Sequence, residues 1–317
     1  MNLVNKNQPK LSEFCDVIIV TYNSSAVIDQ CLKSLIGYNS SCLNRIFVVD
    51  NSSIDDTAQI VANTQKKFPG ISFLRMPWNL GFAKANNHGA SLSQTNFMVF
   101  LNPDTIFQDN AIEQLFDLLL QKEHIGVIGP ALVFPDNTVQ RGYGDKLGIA
   151  GIMRDFLLGA RLRAKLQNQR KMISPNVDWV SGACMIVRKD VFEMVGGFDE
   201  KIFMYSEDLD LCLRIKQKGF KVYYLPSVRV IHLGGISQKS NKITALKANI
   251  SSRLYYTKKY YGLCSFLIIL FFMYGYAFTR LLLHLSLSLF SGKHKEYARI
   301  YIAILSSMNQ IKKHSFN

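Results

Sequence analysis

The first 120 residues alternate between short β-branched runs and segments whose apolar residues recur at helical spacing. Strands are expected at 17–20, 46–49, 71–74 and 97–101. Helices are expected at 27–35, 55–67, 82–92 and 111–121. This order predicts an α/β fold in which helices cover a parallel sheet. Ligands in such folds bind at the carboxyl ends of the strands.

Beyond residue 126 this alternation weakens. Residues 142–175 are basic and poor in strand-forming patterns, so a mobile insertion is expected there. Later elements are expected as a strand over 179–187, a helix over 207–218 that ends at Gly219, and two short strands over 220–225 and 228–231. The second part of the chain is therefore less regular in sequence than the first.

Polar residues collect at three of the expected strand ends. They are Thr21, Tyr22 and Asn23 after the first strand, Asp50, Asn51 and Ser52 after the second, and Asn102 and Asp104 after the fourth. One such cluster is an ordinary turn, but three at one sheet edge favour a binding cleft. No G-x-G-x-x-G follows the first strand, which argues against a dinucleotide-dependent oxidoreductase.

Six motifs together carry a family resemblance. They are Val-Thr-Tyr-Asn-Ser at 20–24, Val-Val-Asp-Asn-Ser-Ser at 48–53, Asn-Leu-Gly-Phe-Ala-x-Ala-Asn-Asn-x-Gly at 79–89, Leu-Asn-Pro-Asp at 101–104, Gly-Gly-Phe-Asp-Glu at 196–200 and Glu-Asp-x-Asp-Leu-x-x-Arg at 207–214. In this order, over residues 14–237, the chain resembles family 2 glycosyltransferases, and in particular rhamnosyltransferases that use dTDP-rhamnose. The resemblance implies a GT-A fold and single-displacement sugar transfer with inversion.

The resemblance also implies a division into domains. A GT-A catalytic domain is expected over 1–241, with a nucleotide-binding half at about 14–125 and an acceptor half at about 126–241. The remaining residues, 242–317, are expected to form a separate helical segment for membrane association. The fold expected for the whole chain is thus a nucleotide-diphospho-sugar transferase domain followed by that segment.

The donor-binding residues implied by the resemblance lie at the strand ends and in the loops that follow. They are Thr21, Tyr22, Asn23, Asp50, Asn51, Ser52, Asn79, Gly81, Asn86, Asn102, Trp179 and Gly182. Asp50 would accept the imide N–H of uracil or thymine, because a charged acceptor forms a stronger hydrogen bond than a neutral amide. Asn79, Gly81 and Asn86 would shape a helix N-terminus near the diphosphate. An ordinary turn or helix cap is the alternative for Asp50 and for Asn79.

Asp104 and His232 are the expected ligands of a divalent cation. Mg²⁺ or Mn²⁺ would neutralise a nucleotide diphosphate through one or two carboxylates and phosphate oxygens. The family often has Asp-x-Asp where this chain has Asn102-Pro103-Asp104, so one carboxylate is missing. A structural histidine is the alternative for His232, but the two glycines that follow it favour a functional one.

Asp208 is the expected catalytic base, with Glu207 as the second candidate. Inverting transfer requires a base that takes the proton from the acceptor hydroxyl. Both carboxylates begin an expected helix, whose positive end favours the ionised form. The alternative is that both are ordinary acidic residues of a first helical turn.

Positive charge is concentrated at the C-terminus. Residues 242–317 hold eleven Lys or Arg and one acidic residue, which is +10 of the net charge of +14. The apolar run 263–279 is uncharged and is followed by a second amphipathic stretch. The polar stripe is Tyr276, Arg280, His284 and Ser288, and the apolar stripe is Ile300, Tyr301, Ile304, Leu305 and Met308. A helix pair at the cytoplasmic membrane surface is expected, with a soluble hairpin or a dimer interface as alternatives.

The function expected from these features is transfer of L-rhamnose from dTDP-rhamnose to a hydroxyl of a polyprenyl-diphosphate-linked glycan. A UDP-hexose-dependent transferase and a non-catalytic sugar-nucleotide-binding protein are the alternatives. A nucleic-acid partner is not expected, because the basic residues are interleaved with Leu, Phe and Ile. The six cysteines without C-x-x-C spacing and the polar N-terminus predict a cytosolic catalytic part. The oligomeric state is left open, a dimer included.

Overall fold

The computed structural model describes residues 14–157, 175–234, 242–287 and 292–315, and these divide into two units. The first unit comprises 14–146, 175–200 and 208–234. The second unit comprises 147–157, 201–207, 242–287 and 292–315. Two short segments of the expected acceptor half therefore group with the C-terminal helices.

The described residues of the two units form eleven strands and nine α-helices. In chain order the strands are β1 (Cys15–Thr21), β2 (Leu43–Asp50), β3 (Ile71–Arg75), β4 (Phe97–Leu101), β5 (Thr105–Ile106), β6 (Ile125–Val133), β7 (Tyr143–Gly144), β8 (Asn176–Val177), β9 (Trp179–Val180), β10 (Cys184–Arg188) and β11 (Lys221–His232). The helices are α1 (Ile28–Asn39), α2 (Thr57–Lys67), α3 (Phe82–Ala90), α4 (Ala111–Gln121), α5 (Ile149–Leu157), α6 (Lys189–Met194), α7 (Glu207–Gln217), α8 (Lys242–Leu287) and α9 (Gly292–Ser315). All eight elements expected in the first 120 residues are confirmed, with ends that differ by a few residues.

A mixed sheet forms the centre of the first unit, with the strand order β3-β2-β1-β4-β10-β6-β11-β5 and with β8 beside β11. The expected parallel arrangement is confirmed for β1 to β4. β10 runs antiparallel to both of its neighbours, β4 and β6, while β11 is parallel to β6. The carboxyl ends of β1 to β4 therefore share one edge of the sheet.

Both faces of the sheet are covered, which explains why its strands β1, β4 and β6 are buried at every position. On one face, Val17 and Ile19 of β1 pack in a cluster that includes Leu32 of α1. On the other face, Ile18 packs in a cluster that includes Phe192 of α6. Successive residues of a strand point to opposite faces, so a strand between two helical layers needs apolar residues at every position.

β6 is the main element that the sequence did not predict. Its nine residues are buried throughout, but Gly126, Gly129 and Pro130 interrupt the β-branched pattern. A Cβ at Gly126 would lie 2.7 Å from Ile215 Cγ2, and one at Gly129 would lie 2.9 Å from Val180 Cβ. The glycines that conceal the strand in the sequence are therefore required by its close packing.

The expected mobile insertion at 142–175 is wrong in part. Its first residues form β7 and α5, and residues 158–174 lie outside the described residues. Tyr143 of β7 stacks on Tyr224 of β11, with ring centroids 3.9 Å apart. This contact gives β7 a fixed place that its two-residue length does not predict.

The two short strands expected after Gly219 are one strand, β11. Its pairing with β6 is irregular between Leu225 and Arg229. Pro226 lies in that interval and has no N–H to donate, which explains why the strand pattern breaks there.

In the second unit, α8 consists of two helices that meet at Gly262. This residue has φ 78° and ψ 179°, a conformation that only glycine adopts readily. Before it, Tyr256 and Tyr261 donate hydrogen bonds from their hydroxyls to the Leu147 carbonyl, at 3.4 and 2.8 Å. These bonds attach the first part of α8 to the segment that begins α5.

Beyond Gly262, α8 forms a hairpin with α9. The buried apolar residues of the hairpin are Phe266, Ile269, Leu270, Met273, Ala277, Ala298, Ile304 and Met308. Two residues of the expected polar stripe contact α9: the Tyr276 and Tyr301 ring centroids lie 6.4 Å apart, and His284 stacks on Tyr301 with its Nδ1 2.8 Å from His294 Nδ1. Arg280 of the same stripe is exposed. Ser288 lies outside the described residues. By length and composition alone, Ile243–Leu287 is apolar enough to cross a membrane.

Substitution of Gly89 by alanine tests the close packing of α3 on the sheet. A Cβ at this position would lie 2.6 Å from Ile18 Cγ2 and 3.0 Å from Val49 Cγ2, and both of those side chains are buried and rigid at χ1. We expect Gly89→Ala to lower the free energy of unfolding by about 1–3 kcal/mol, measured by urea denaturation.

Gly37→Ala, in an exposed part of α1, is the matched control. No atom lies within 4 Å of the Cβ that it would add. The gain in helix propensity should therefore raise the free energy of unfolding by about 0.5–1 kcal/mol. Effects of equal sign and size at the two glycines would contradict the packing argument.

Candidate active site

The carboxyl ends of β1, β2 and β3 align Thr21, Asp50 and Arg75 in one row, because the register pairs each with the next. The Asp50 carboxylate is fully buried. It accepts hydrogen bonds from Thr21 Oγ1 at 3.0 Å, from the Ser53 N–H at 3.1 Å and from the Ser53 hydroxyl. Asp50 therefore holds the loops after β1 and β2 together, and its reading of a pyrimidine base stays a prediction.

The loops after β1 and β2 each contain a residue with an unusual backbone conformation. Asn23 and Ser52 have φ values of 50° and 68°, in the left-handed region. Asn23 Oδ1 accepts a hydrogen bond from the Ile54 N–H at 2.9 Å, which fixes the loop to its neighbour after β2. Tyr22 remains exposed beside them and is the aromatic ring of the predicted nucleoside-binding residues.

Asn51 joins the end of β2 to the loop that precedes α3. Its Nδ2 donates to the Gly81 carbonyl at 3.1 Å, and Asn79 Oδ1 accepts from the Gly81 N–H at 3.0 Å. Gly81 has φ 85° and is the N-cap residue of α3, so Asn79 and Gly81 lie at a helix N-terminus. Their place near a diphosphate stays a prediction. Asn86 is buried within the helix, and its Oδ1 has no hydrogen-bond partner among the described residues.

Arg75 is a site residue that the sequence did not single out. Its Nη2 donates to the Ser53 carbonyl at 2.9 Å, its Nε lies 3.9 Å from Asp50 Oδ2, and its side chain is 56% exposed. A cation at the carboxyl edge suits an anionic ligand. β3 carries no polar cluster at its end, so only the pairing of β3 with β2 reveals this residue.

Asp104 and His232 are brought together by the short strand β5. β5 pairs with β11 so that Thr105 lies opposite His232, and the Leu233 N–H donates to the Asp104 carbonyl at 2.9 Å. As a result, His232 Nε2 lies 3.2 Å from Asp104 Oδ1. Asn102 Nδ2 lies 3.3 Å from the same imidazole nitrogen.

This donor set fits a divalent cation with an open coordination sphere. One carboxylate and one imidazole can ligate Mn²⁺ or Mg²⁺ when phosphate oxygens and water supply the other positions. Within the described ranges, no third His, Cys, Asp or Glu side chain completes a cluster with Asp104 and His232. Phosphate oxygens and water would supply further ligands to such a cation.

Asp208 lies in the first turn of α7 and is tied to the loop between β9 and β10. Its carboxylate accepts hydrogen bonds from the Gly182 N–H at 3.1 Å and from the Leu209 N–H at 2.8 Å. Burial raises the pKa of Asp208 above its ordinary value. Glu207, the second candidate, is also buried and belongs to the second unit.

A backbone hydrogen bond connects the candidate base to the candidate metal ligands. Gly182 is followed by Ala183, whose carbonyl accepts from the Asn102 N–H at 2.9 Å. Asn102 in turn begins the loop that carries Asp104. The three predicted groups with chemical roles therefore lie on neighbouring segments at one edge of the sheet.

Trp179 lies in β9, directly before the loop that contains Gly182, and β9 pairs with β7. β9 and β7 pair through Trp179 and Gly144, and a Cβ at Gly144 would lie 3.0 Å from the indole Nε1. The Arg141 guanidinium lies 5.7 Å from the Trp179 ring centroid. The indole N–H is buried without a hydrogen-bond partner among the described residues, so Trp179 keeps a donor to offer.

Residues 16–196, more than half of the chain, match the profile described as Glycosyl transferase family 2. The chain belongs to glycosyl transferase family 2. The resemblance read from the six motifs is thereby confirmed, and so is the enzyme class, a glycosyltransferase.

Rhamnosyltransferases recur among the relatives. The chain is 28% identical over 239 residues to the N-acetylglucosaminyl-diphospho-decaprenol L-rhamnosyltransferase of Mycobacterium tuberculosis, which spans 70% of this chain and 76% of that one. It is also 28% identical over 244 residues to the dTDP-rhamnosyl transferase RfbF of Shigella flexneri, which spans 75% of each chain.

A solved structure shares the fold. The mannosyltransferase PcManGT from Pyrobaculum calidifontis, in complex with GDP-Man and Mn²⁺, superposes with a TM-score of 0.56. The two chains are 15% identical, and the match covers 96% of this chain and 89% of that one. The predicted GT-A fold is confirmed, while the roles of individual site residues stay predictions.

Proposed function

We propose that this glycosyltransferase moves L-rhamnose from dTDP-rhamnose to a hydroxyl of a polyprenyl-diphosphate-linked glycan, with inversion at the anomeric carbon. The observation that carries the proposal is the link from Asp208 through Gly182 and Asn102 to Asp104. A base and an anion-neutralising site on adjacent segments are what a single-displacement transfer needs.

In the proposed reaction, the ionised Asp208 carboxylate accepts the proton of the acceptor hydroxyl. The acceptor oxygen forms a bond to the anomeric carbon, and the bond from that carbon to the diphosphate oxygen breaks. The electron pair of the broken bond leaves on the diphosphate. Asp104 and His232 would hold a divalent cation, which stabilises the negative charge of the leaving group.

The donor and the acceptor are inferred from the relatives. The Shigella relative is named a dTDP-rhamnosyl transferase, and the mycobacterial relative an N-acetylglucosaminyl-diphospho-decaprenol L-rhamnosyltransferase. Both relatives are 28% identical to this chain over the matched residues. A role in the assembly of a lipid-linked surface polysaccharide follows for this chain as part of the proposal.

A lipid-linked acceptor would place the enzyme at the cytoplasmic face of the membrane, and the second unit supports membrane association as such. Its hairpin carries an outer apolar face without a covering element among the described residues. The exposed residues are Leu263, Leu267, Ile268, Phe271, Phe278, Leu282 and Leu285. Acyl chains would cover such a face in a monotopic arrangement.

The segment before Gly262 has the composition of a membrane interface. Tyr255, Lys258, Lys259 and Tyr260 precede the break, and Lys259 Nζ lies 5.6 Å from the Tyr260 ring centroid. Aromatic and basic side chains are enriched at the headgroup level. The net charge of +10 over 242–317 suits anionic headgroups, and it disfavours a second copy of the same face by like-charge repulsion.

Transfer assays test the proposed reaction. Purified enzyme would be given a polyprenyl-diphosphate N-acetylglucosamine acceptor, Mn²⁺ or Mg²⁺, and dTDP-rhamnose or a panel of UDP-hexoses. We expect transfer of rhamnose from dTDP-rhamnose and a loss of about 10²–10⁴-fold in kcat with Asp208→Asn. Asp117→Asn, at an exposed position of α4, is the control and should leave kcat unchanged.

Three outcomes would contradict the proposal at different points. Wild-type kcat in Asp208→Asn would remove Asp208 as the base. Transfer from a UDP-hexose alone would replace the donor, and absence of transfer from every donor would leave a sugar-nucleotide-binding protein.

The pH dependence of kcat/KM follows from the raised pKa of Asp208. The base acts in its ionised form, so the fraction of active enzyme falls as the pH drops through that pKa. We expect an acidic limb centred above the ordinary aspartate value of about 3.9, because burial shifts the midpoint upward. A pH profile that stays flat down to about pH 4 would contradict the assignment.

Vesicle binding tests the proposed membrane face. Ile268 and Phe271 are 57% and 82% exposed. Replacing both with Ser should weaken co-sedimentation with phosphatidylglycerol-containing vesicles by about tenfold or more, because each buried apolar side chain contributes about 1.5–3 kcal/mol. Ile54→Ser is the control, since Ile54 is 91% exposed but lies in the first unit.

Light scattering tests whether a second copy of the chain, instead of a membrane, covers the apolar face of the hairpin. Unchanged vesicle binding together with loss of a dimer in the double variant would assign the apolar face to a second copy of the chain.

A further inference from the structure

Gln140 contacts His232 at two points. Its Nε2 donates a hydrogen bond to the His232 backbone carbonyl, and its Oε1 lies 2.9 Å from His232 Nδ1. The backbone of Gln140 is itself held, since its N–H donates to the Leu132 carbonyl of β6 at 2.8 Å. The Gln140 amide therefore contacts His232 from a backbone position that is hydrogen-bonded to β6.

These contacts determine which imidazole nitrogen carries the proton. A carbonyl oxygen only accepts hydrogen bonds, so the Gln140 atom beside the His232 carbonyl must be the NH₂ group. The amide oxygen then faces Nδ1, and it also only accepts. His232 Nδ1 must therefore be the donor, and in the neutral ring Nε2 is left with a free lone pair.

The unprotonated nitrogen faces the candidate metal ligands. Nε2 lies 3.2 Å from Asp104 Oδ1 and 3.3 Å from Asn102 Nδ2. Only a nitrogen without its proton can ligate a cation, and the partner of the other nitrogen decides which one that is. The bond from Asn102 Nδ2 needs Nε2 as the acceptor. Asp104 Oδ1 is itself an acceptor, so its closeness to an unprotonated Nε2 is favourable when both atoms hold one cation.

We propose that Gln140 is a positioning residue that holds His232 in the Nδ1–H tautomer and presents Nε2 to a divalent cation beside Asp104. The inference rests on the proposed function in so far as that function includes the cation. It also addresses the missing carboxylate at Asn102, since a site with one carboxylate depends more on the preorganisation of its histidine.

The tautomer of the His232 imidazole in the metal-free enzyme is the first measurement that tests the role of Gln140. Long-range ¹H–¹⁵N spectra, with His232 assigned by His232→Gln, report the protonated nitrogen at about pH 8.5, above the ordinary imidazole titration range. We expect the Nδ1–H form in the wild type and in Gln140→Glu, which keeps an acceptor for Nδ1. Gln140→Met, which has similar length but neither donor nor amide acceptor, should shift His232 toward the Nε2–H form.

Cation affinity provides the second readout. Free Mn²⁺ measured by electron paramagnetic resonance, with and without dTDP, gives Kd for each variant. We expect Gln140→Met to raise Kd by about 10–100-fold and Gln140→Glu to stay within about threefold of the wild type. Gln121→Met, at an exposed position at the end of α4, is the control and should leave both readouts unchanged.

The outcomes separate this inference from the proposed function. An Nε2–H tautomer in the wild type, wild-type Mn²⁺ affinity in Gln140→Met, or no Mn²⁺ binding by the wild type would overturn the role of Gln140. If Gln140→Met does not fold, Gln140→Leu supplies the same measurement, and the wild-type tautomer remains decisive. Neither readout requires sugar transfer, so an inactive wild type with the expected tautomer and affinity would overturn the proposed function alone.

Discussion

The pairing of β4 with β10 is the constraint on which the arrangement of the site depends. At its end, the Asn102 N–H donates to the Ala183 carbonyl, so the loop that carries Asp104 starts opposite the loop that contains Gly182. Gly182 then fixes the Asp208 carboxylate through its own N–H. Backbone hydrogen bonds at the edge of a buried sheet hold side chains more rigidly than free loops do. They therefore fix the position of the candidate base relative to the candidate cation ligands.

Buried carboxylates in the first unit serve different purposes according to their partners. Asp16 accepts hydrogen bonds from the side chains of Asn44 and Ser93 and from three backbone N–H groups, and Asp50 is enclosed by hydroxyls and an N–H. Such partners hold loops in place. Asp208 has two N–H donors, and its burial still raises its pKa. A carboxylate that is desolvated more than it is stabilised is the one suited to accept a proton.

The distribution of charge separates the C-terminal residues 242–317 from the rest of the chain. The +10 carried by residues 242–317 leaves +4 for the preceding 241 residues, which suits a cleft that holds both a cation and a diphosphate. In the second unit, Gly262 divides α8 between a tyrosine- and lysine-rich part and an apolar part. In the apolar part, Tyr276 and His284 pack against Tyr301 of α9, whereas Leu267, Ile268, Phe271 and Phe278 are exposed.

The sequence by itself determined the elements β1 to β4 and their helices, the family, and the pairing of Asp104 with His232 as candidates. These features depend on local periodicity and on short motifs at strand ends, which a linear reading detects. Only the tertiary structure decided the position of β6, the inclusion of Arg75 and the contact between Gln140 and His232. These features depend on contacts between segments that are distant in the sequence. Examples are the close packing that makes glycine necessary in β6 and the hydrogen bond between Gln140 and His232, which are 92 residues apart. Such contacts produce no periodic pattern in the sequence.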